Sequence, residues 1–404
     1  MRTIIAPPLA ETPAGDAAEQ VLRTCVHCGF CNATCPTYLA TGDELDGPRG
    51  RIYLIKQALE GGPVTRVTQH HLDRCLGCRA CETTCPSGVS YHRLYDIGRA
   101  FVEARVRRPW AERSFRAMLR AVVARPKLFG PLVLLGNLFR WAMPAKLAAR
   151  TPPYRAHERF AARPHARTML MLAGCAQSVT ASHFNAVTAR VFDRLGVALS
   201  EVREAGCCGA LPAHLDAPAQ ARDFARRNID AWWPGIEAGA EAIVVTSSGC
   251  SSYMHDYPVL LADDPRYAAK AKVVAGLIRD PVQILSEMDL APVRRPADPR
   301  IVVQEPCSLQ HGLRLTGRIA TLLRRLGFDP QPVVDNHLCC GSAGAYSILQ
   351  PAMAQKLRAD KLAKLCASAP SAVYSANVGC WMHLAETSPV PVRHWIEAVD
   401  EVLA

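Results

Sequence analysis

Residues 25–36 read CVHCGFCNATCP and residues 75–86 read CLGCRACETTCP, so one chain carries the spacing C-x2-C-x2-C-x3-C-P twice. Three thiols stepped by two residues can hold three corners of a cubane, while the fourth, beside proline, points away and reaches the other cluster. On that rule one [4Fe-4S] cluster takes Cys25, Cys28, Cys31 and Cys85, and the other takes Cys75, Cys78, Cys81 and Cys35. Zinc also accepts four thiolates, yet it has no need of four evenly stepped ligands twice over, each set closed by proline. Disulfides fit the pattern less well than either metal.

Thirty-nine residues separate Cys35 from Cys75, far more than a minimal hairpin needs. Within them GPRGRIYLIKQALEGG puts Ile52, Ile55, Ala58 and Leu59 on one helical face and ends on paired glycines. After the second motif, YHRLYDIGRAFVEARVRR repeats a helical pattern, with Leu94, Ile97, Ala100, Phe101 and Val106 to one side. The expectation is an N-terminal extension over residues 1–20 and an α-helical ferredoxin domain over 21–100. Gly29, Gly77 and Gly88 would permit turns around the inorganic cores. Arg49, Arg51 and Arg79 either raise cluster potentials by proximity or are solvated at the surface.

Residues 168–404 are an internal duplication. Cys175, Cys207 and Cys208 recur at Cys307, Cys339 and Cys340, each offset by 132 residues, and Cys250 recurs at Cys380, offset by 130. The frames repeat as well: EAGCCGALPAHL aligns with HLCCGSAGAYSIL, and AIVVTSSGCSSYM with AVYSANVGCWMHL. Short β-runs alternate with helices expected at NAVTARVFDRLG, from Asp216 to Trp233, at LTGRIATLLRRLG and at PAMAQKLRADKLAKLCA. Each repeat, 168–295 and 296–404, is therefore predicted to be an α/β sandwich, and the whole chain α+β. The uncharged stretch between Arg167 and Arg190 reads as a strand and an exposed turn.

Cysteines on loops at strand ends converge in this fold class. Cys175, Cys207, Cys208 and Cys250, and likewise Cys307, Cys339, Cys340 and Cys380, are candidates for an additional iron-sulfur cluster, the second set being the better one. The alternatives are buried apolar cysteines, or redox dithiols, although a disulfide between adjacent residues closes a strained ring. Cys366, alone in an Ala/Leu-rich helix, reads as packing. His214, His255, His311, His337, His383 and His394 lie near the cysteine loops, and each reads first as an ordinary surface residue, then as a donor to cluster sulfur or a quinone-pocket wall.

At 404 residues the chain is too long for one ordinary core, and its 49 % hydrophobic and 21 % charged content is that of a globular protein. The net charge of +11 is concentrated between Phe101 and Arg167, where fifteen Lys or Arg face three Asp or Glu. This segment, 101–167, is expected to be a basic helical linker: a solvated connector, or a docking element for an acidic partner or an anionic membrane. No base-reading module accompanies the charge, so nucleic acid is not expected as a partner. LFGPLVLLGNLF at 128–139 is too short and too interrupted to span a bilayer, and the N-terminus lacks the apolar core of a secretory signal, so a reducing compartment is expected. No Ser-His-Asp order, Walker loop or dinucleotide fingerprint is found.

With both motifs, DGPRGRIYLIK, HLCCGSAGAYSILQP, SANVGCWMHL and the closing PVRHWIE, the chain resembles the iron-sulfur subunits of bacterial glycolate oxidase over almost all its length. That resemblance implies an electron-transfer subunit of a glycolate dehydrogenase. It would receive electrons from separate flavin-containing subunits and relay them to a quinone or other membrane acceptor, in the cytoplasm against the inner membrane. It implies no catalytic residue here, and flavin only on the partners. The rivals are an iron-sulfur subunit for D-lactate, another 2-hydroxy acid or glycerol-3-phosphate, and an iron-sulfur scaffold or sensor. The wider cysteine-rich superfamily, similar to subunits of heterodisulfide reductase and lactate-utilisation complexes, ends each repeat in C-x-x-C. Here Ser247 and Asn377 stand at the upstream positions, which argues against noncubane heterodisulfide chemistry.

Overall fold

The helical patterns flanking the two motifs form the helices Pro13–Thr24, Pro48–Leu59 and Tyr91–Arg105 in a computed structural model that describes residues 1–144, 148, 151–156, 158, 160 and 163–403. Thr12 caps the first helix, accepting a hydrogen bond from the Gly15 backbone, and prolines occupy the first helical turns at Pro13 and Pro48. The three helices enclose a core of Leu22, Ile55, Leu59, Leu72 and Leu94, onto which Cys25 and Cys81 also pack. Gly98 permits this packing: a Cβ there would lie 2.6 Å from the Ile55 side chain, so only bare backbone lets Tyr91–Arg105 close on Pro48–Leu59. Leu94, Phe101 and Val106 are buried, whereas Ala100, expected beside them, faces solvent.

The duplication appears as two four-stranded sheets of the same order. Strands β1 (Arg167–Leu172), β2 (Val197–Val202), β3 (Ile243–Val244) and β4 (Ile278–Arg279) form an all-parallel sheet in the order β2-β1-β3-β4. Strands β5 (Arg300–Gln304), β6 (Asp329–Gln331), β7 (Val373–Ser375) and β8 (Val392–His394) repeat it as β6-β5-β7-β8. The expected helices lie between them, at His183–Arg194, Pro218–Glu237, Arg318–Arg325 and Pro351–Leu365.

Alternate residues of each inner strand serve different cores, as a pleated strand requires. Leu170 and Leu172 meet Ile229, Trp232 and Tyr257 on the outer side of the first repeat. Met169 and Met171 turn the other way, into a core that also contains Ile301, Val303, Phe192, Trp395 and Val399. The two repeats thus share one interior, with His183–Arg194 of the first packed on Trp395–Leu403 of the second.

Two expectations are corrected. The stretch after β1 is not an exposed turn: it continues into the helices Ala176–Thr180 and His183–Arg194. Its polar side chains are buried because they satisfy one another, Gln177 Nε2 donating to Asn185 Oδ1 at 2.7 Å and to Thr246 Oγ1 at 2.6 Å. The basic segment is only partly a solvated connector. Arg108 and Arg116 are buried, Arg108 against Asp73 at 2.8 Å and Arg116 against Asp216 at 3.1 Å. TPPYRAHERFAARPHAR at 151–167, at the end of that segment, reads as an extended approach to the first repeat; its residues 151–156 are non-helical, and 157, 159, 161 and 162 lie outside the described residues.

The shared interior predicts that Trp395→Ala destabilises both repeats together, by about 3–5 kcal/mol, the usual cost of deleting a buried tryptophan. Denaturant unfolding followed by limited proteolysis would check it. A first repeat that kept its wild-type midpoint would count against a common core.

Candidate metal centres

In both motifs the chain turns left-handed at the same two places, before the second cysteine and after it. These are His27 (φ 60°) and Gly29 (φ 88°) in the first motif, and Gly77 (φ 64°) and Arg79 (φ 61°) in the second. Such turns bring successive thiols to one side, and at His27 and Arg79 they hold side chains where glycine is preferred. Cys25, Cys28, Cys31 and Cys85 line one cavity together with His27 and Arg49, Cys81 of the second motif also reaches its wall, and Cys28 is exposed at its rim. Burial pushes the Cys25 thiol up against a hydrogen bond from the His27 backbone, and the charges of Cys85 and Cys28 add to the rise. Burial and then the charge of Cys25 push Cys31 up to about 11. For Cys81 the effect of burial is followed by the charges of Cys78, Cys75 and Cys35. The chain therefore gathers Cys85 with the first motif and Cys35 with the second.

A buried polar network supports the second set. The Cys35 thiol lies 3.3 Å from Thr37 Oγ1 and 3.6 Å from the Asp46 carbonyl. Arg51, only 1 % exposed, donates to Thr37 Oγ1 at 3.2 Å and to the His71 carbonyl at 2.8 Å. Burial works against its charge, and Cys75, Tyr91 and Cys35 outweigh that. His71 Nδ1 reaches Asp46 Oδ1 at 2.9 Å, and Arg74 holds the other oxygen. Of the three arginines left open by sequence, Arg51 is thus interior. Arg49 pairs with Glu44 at 2.6 Å, and Arg79 ties Glu82 at 3.1 Å to Asp256 of the first repeat at 3.4 Å.

In the repeats every matched cysteine follows a strand's carboxyl end: Cys175 after β1, Cys207 and Cys208 after β2, Cys250 after β3, and their counterparts after β5, β6 and β7. The thiols form the same chain in both, Cys175–Cys207–Cys208–Cys250 and Cys307–Cys339–Cys340–Cys380. In the second, Cys307 and Cys339 sulfurs are 3.9 Å apart and Cys340 and Cys380 sulfurs 3.3 Å. Gly209 and Gly341, at φ 93° and 90°, turn each cysteine pair inward and aim their N–H at Cys207 and Cys339 sulfur, at 3.4 and 3.5 Å. A Cβ at Gly341 would come within 2.7 Å of the Ala354 carbonyl. Four converging thiols, with backbone donors on sulfur, suit a thiolate-ligated cluster in each place.

The quartets differ in charge. Asn228 and Lys361 occupy the same place in the helices that begin at Pro218 and Pro351. Asn228 joins its loop through neutral bonds, accepting from Gly206 N at 3.0 Å and donating to the Cys207 carbonyl at 2.9 Å. Lys361, 2 % exposed, donates to the Asn336 carbonyl at 2.8 Å. Burial lowers its pKa to about 8, against the pull of Cys340, Cys339, Cys380 and Cys307. Sequence reasoning passed over Lys361; its offset from Asn228 in the aligned repeats was the available signal.

The quartets are also adjacent. After burial, the largest influence raising Cys78 is the charge of Cys307, ahead of Cys35. Thr83 Oγ1 meets His311 Nδ1 at 2.8 Å, and Tyr346 donates to the Arg74 carbonyl at 3.2 Å, fastening the second repeat to the second motif. Between the repeats, Ser248 and Ser308 hydroxyls lie 2.8 Å apart, and each neighbours a cysteine loop. Ser247 donates to Asn377 Oδ1 at 2.7 Å, so the two positions lacking the superfamily's upstream cysteine meet each other. His311, His383 and His394 are buried and bonded to carbonyls, contrary to the surface reading, while His214 is exposed.

A helical dicluster module joined to duplicated cysteine-rich α/β repeats defines an iron-sulfur protein. Residues 21–89 match the 4Fe-4S dicluster domain, and residues 169–255 and 301–385 match the Cysteine-rich domain. The chain is 49 % identical to the glycolate oxidase iron-sulfur subunit of Escherichia coli, over 100 % of this chain and 99 % of that protein. It is 28 % identical to a probable glycolate oxidase iron-sulfur subunit of Bacillus subtilis, over 91 % and 89 % of the two chains. Lactate utilization protein A of Bacillus licheniformis is 23 % identical over 56 % of this chain and 96 % of that one. In fold, a crystal structure of a hypothetical protein from Helicobacter pylori is similar, with a TM-score of 0.56 at 9 % identity, covering 98 % of this chain and 73 % of that one. The chain belongs to the glycolate oxidase iron-sulfur subunit family.

The network around Asp46 predicts an acid-sensitive N-terminal domain. Burial alone would raise this carboxyl, but the His71 hydrogen bond and the Arg74 and Arg51 charges outweigh it and hold it below its ordinary value. A depressed carboxylate contributes stability that is complete above its unfolded pKa and is lost as pH falls through the folded one. Asp46→Asn should therefore cost about 3–5 kcal/mol near neutrality by stranding Arg51, and flatten the acid limb of a stability–pH curve. An unchanged acid limb would show that Asp46 is not the group responsible.

Proposed function

We propose that the chain is the electron-carrying subunit of a glycolate-oxidising complex, taking electrons from flavin-containing partner subunits and passing them to a quinone at the cytoplasmic face of the inner membrane. The observation that carries this reading is the continuity of the thiol quartets. They run from exposed Cys28 through the second motif to Cys307 by way of Cys78, and on through Ser308 and Ser248 to the first repeat. Cys25, Cys28, Cys31 and Cys85 would hold one [4Fe-4S] cluster and Cys75, Cys78, Cys81 and Cys35 a second. Cys307, Cys339, Cys340 and Cys380 would hold a third, with Cys175, Cys207, Cys208 and Cys250 a further candidate set. When bound, such clusters carry one electron each, which divides the two-electron output of a reduced flavin. The chain's own residues fix the spacing and supply positive charge: Arg51 beside the second set and Lys361 beside the third.

Glycolate is favoured over lactate because the relative named for glycolate oxidase matches the whole chain at 49 %, whereas the one named for lactate utilization matches 56 % of it at 23 %. The surface around Cys28, where Val26 and Phe30 are exposed, suits the flavin partner, since it opens on the outermost quartet. No helix among the described residues is long and apolar enough to cross a membrane.

Cys35→Ser should chiefly damage the centre nucleated by the second motif, and Cys85→Ser that of the first. Anaerobic electron paramagnetic resonance of the two variants reads this directly, and loss of each residue's own-motif signal would reject crossed ligation.

The purified chain alone should not oxidise glycolate with an artificial acceptor, and activity should appear when the flavin subunits are added. Turnover by a flavin-free preparation would overturn the assignment of substrate chemistry to the partners.

A further inference from the structure

The helix Pro126–Leu138 is apolar nearly all round, yet only one side of it is covered. Gly130, Val133 and Gly136 are buried, while Leu128, Leu132, Leu134, Leu135 and Leu138 are 48–63 % exposed. A helix with apolar residues on every face is normally enclosed, so among the described residues this one lacks a covering. Its exposed arc, from Leu134 round to Leu132, carries a single charge, Lys127. Trp141, 84 % exposed, follows it, and Trp110, 79 % exposed, begins the helix that precedes it. No acidic residue occurs between Glu112 and Glu158, whereas Arg113, Arg125, Lys127 and Arg140 are exposed.

We propose that this face is a lipid-docking surface on which Pro126–Leu138 lies in the plane of an anionic bilayer. Thirteen residues of helix span about 20 Å, short of the roughly 30 Å hydrocarbon core, so the helix can lie on a membrane but not cross it. Leucines would enter the acyl boundary, tryptophan would sit at headgroup level, and the cations would meet lipid phosphates. One-signed charge around a leucine face matches an anionic bilayer. A protein partner would more often leave some charges of the other sign at the rim.

The covered side gives the docking a consequence. Gly130 faces Val179 of the helix that Cys175 begins, a Cβ there lying 3.8 Å from the valine. Ala124, just ahead of the apolar helix, packs with Cys207, Phe224 and Cys175. A membrane at this face would adjoin the first repeat's quartet. The lipid contact needs only the face itself; its use in delivering electrons to a quinone rests on the function proposed above.

The test is flotation of the full holo chain, without flavin partner or substrate, on phosphatidylcholine vesicles with and without one-quarter phosphatidylglycerol. Binding should require the anionic lipid and be reversed by 0.5 M salt, and brominated acyl chains should quench tryptophan less in W141F. The triple variant L132S/L135S/L138S and the triple variant R125Q/K127Q/R140Q should each reduce binding by about tenfold or more, at unchanged iron content and melting midpoint. Wild-type chain that stays with the soluble fraction would overturn the proposal. So would binding that the leucine variant leaves intact, or loss in that variant of binding to the flavin subunits, which would make the face a protein interface. Because no electron transfer is measured, these failures are separate from failure of the relay.

Discussion

Crowded, desolvated thiols resist ionisation, and the architecture is arranged around that resistance. Of seventeen cysteines, sixteen stand in four quartets, where burial and neighbouring sulfur drive Cys31 to about 11 and hold Cys78, Cys175 and Cys307 well above the ordinary thiol range. A thiolate ligand must give up its proton, so such a quartet becomes thiolate only against compensating positive charge. An iron-sulfide core would supply most of it. The chain supplies the remainder through Arg51, Lys361 and the N–H groups of Gly77, Gly209 and Gly341, each aimed at or set beside sulfur. Without metal the same loops enclose neutral thiols with few good partners, which is why the quartets sit on well-packed strand ends and helices that hold them in place regardless.

That Cys25, Cys28 and Cys31 stand together, and Cys75, Cys78 and Cys81, was legible because their spacing is a local property: a C-x2-C-x2-C loop can curl in few ways. The 132-residue offset was equally legible, because two copies of one sequence pattern fold to the same β2-β1-β3-β4 and β6-β5-β7-β8 order. The surroundings were not. Nothing local separates Arg51, sealed beneath the second motif, from Arg49, which reaches solvent two residues away; the difference lies in which helix face meets Asp46 and His71. Gln177 and Asn185 read as exposed because each is polar alone, and they are buried because they meet each other and Thr246 across strands and helices that no single window contains. Histidines 311, 383 and 394 were misread for the same reason.

The repeats began alike and have diverged in charge more than in shape. Asn228 and Lys361 perform the same task of bonding the cysteine-pair loop, one as a neutral amide and one as a buried cation. A cation beside a cluster favours its reduced, more negative state, so a centre in the second repeat would sit at higher potential than an equivalent one in the first, other things equal. Clusters at unequal potentials would give an electron a preferred resting place, and the quartet beside Lys361 is the one that adjoins Cys78.

Holding two unequally charged quartets at a fixed distance is the service that the common interior performs. Separate domains joined by a linker would let the quartets drift, and electron tunnelling falls off steeply with distance. Here Trp395 and Phe192 close a single core, and the loops themselves are pinned across it, Ser248 N donating to the Ala376 carbonyl at 3.0 Å and Ser247 to Asn377 at 2.7 Å. The latter pair occupies the positions to which the resemblance to the wider cysteine-rich superfamily would assign a fifth cysteine. Two more thiols there would face each other across the repeat interface and would have to be ligated or left buried and unpaired. A serine and an asparagine instead satisfy each other, and because neither leaves a buried polar group unpaired, their bond locks the two quartets together without a metal.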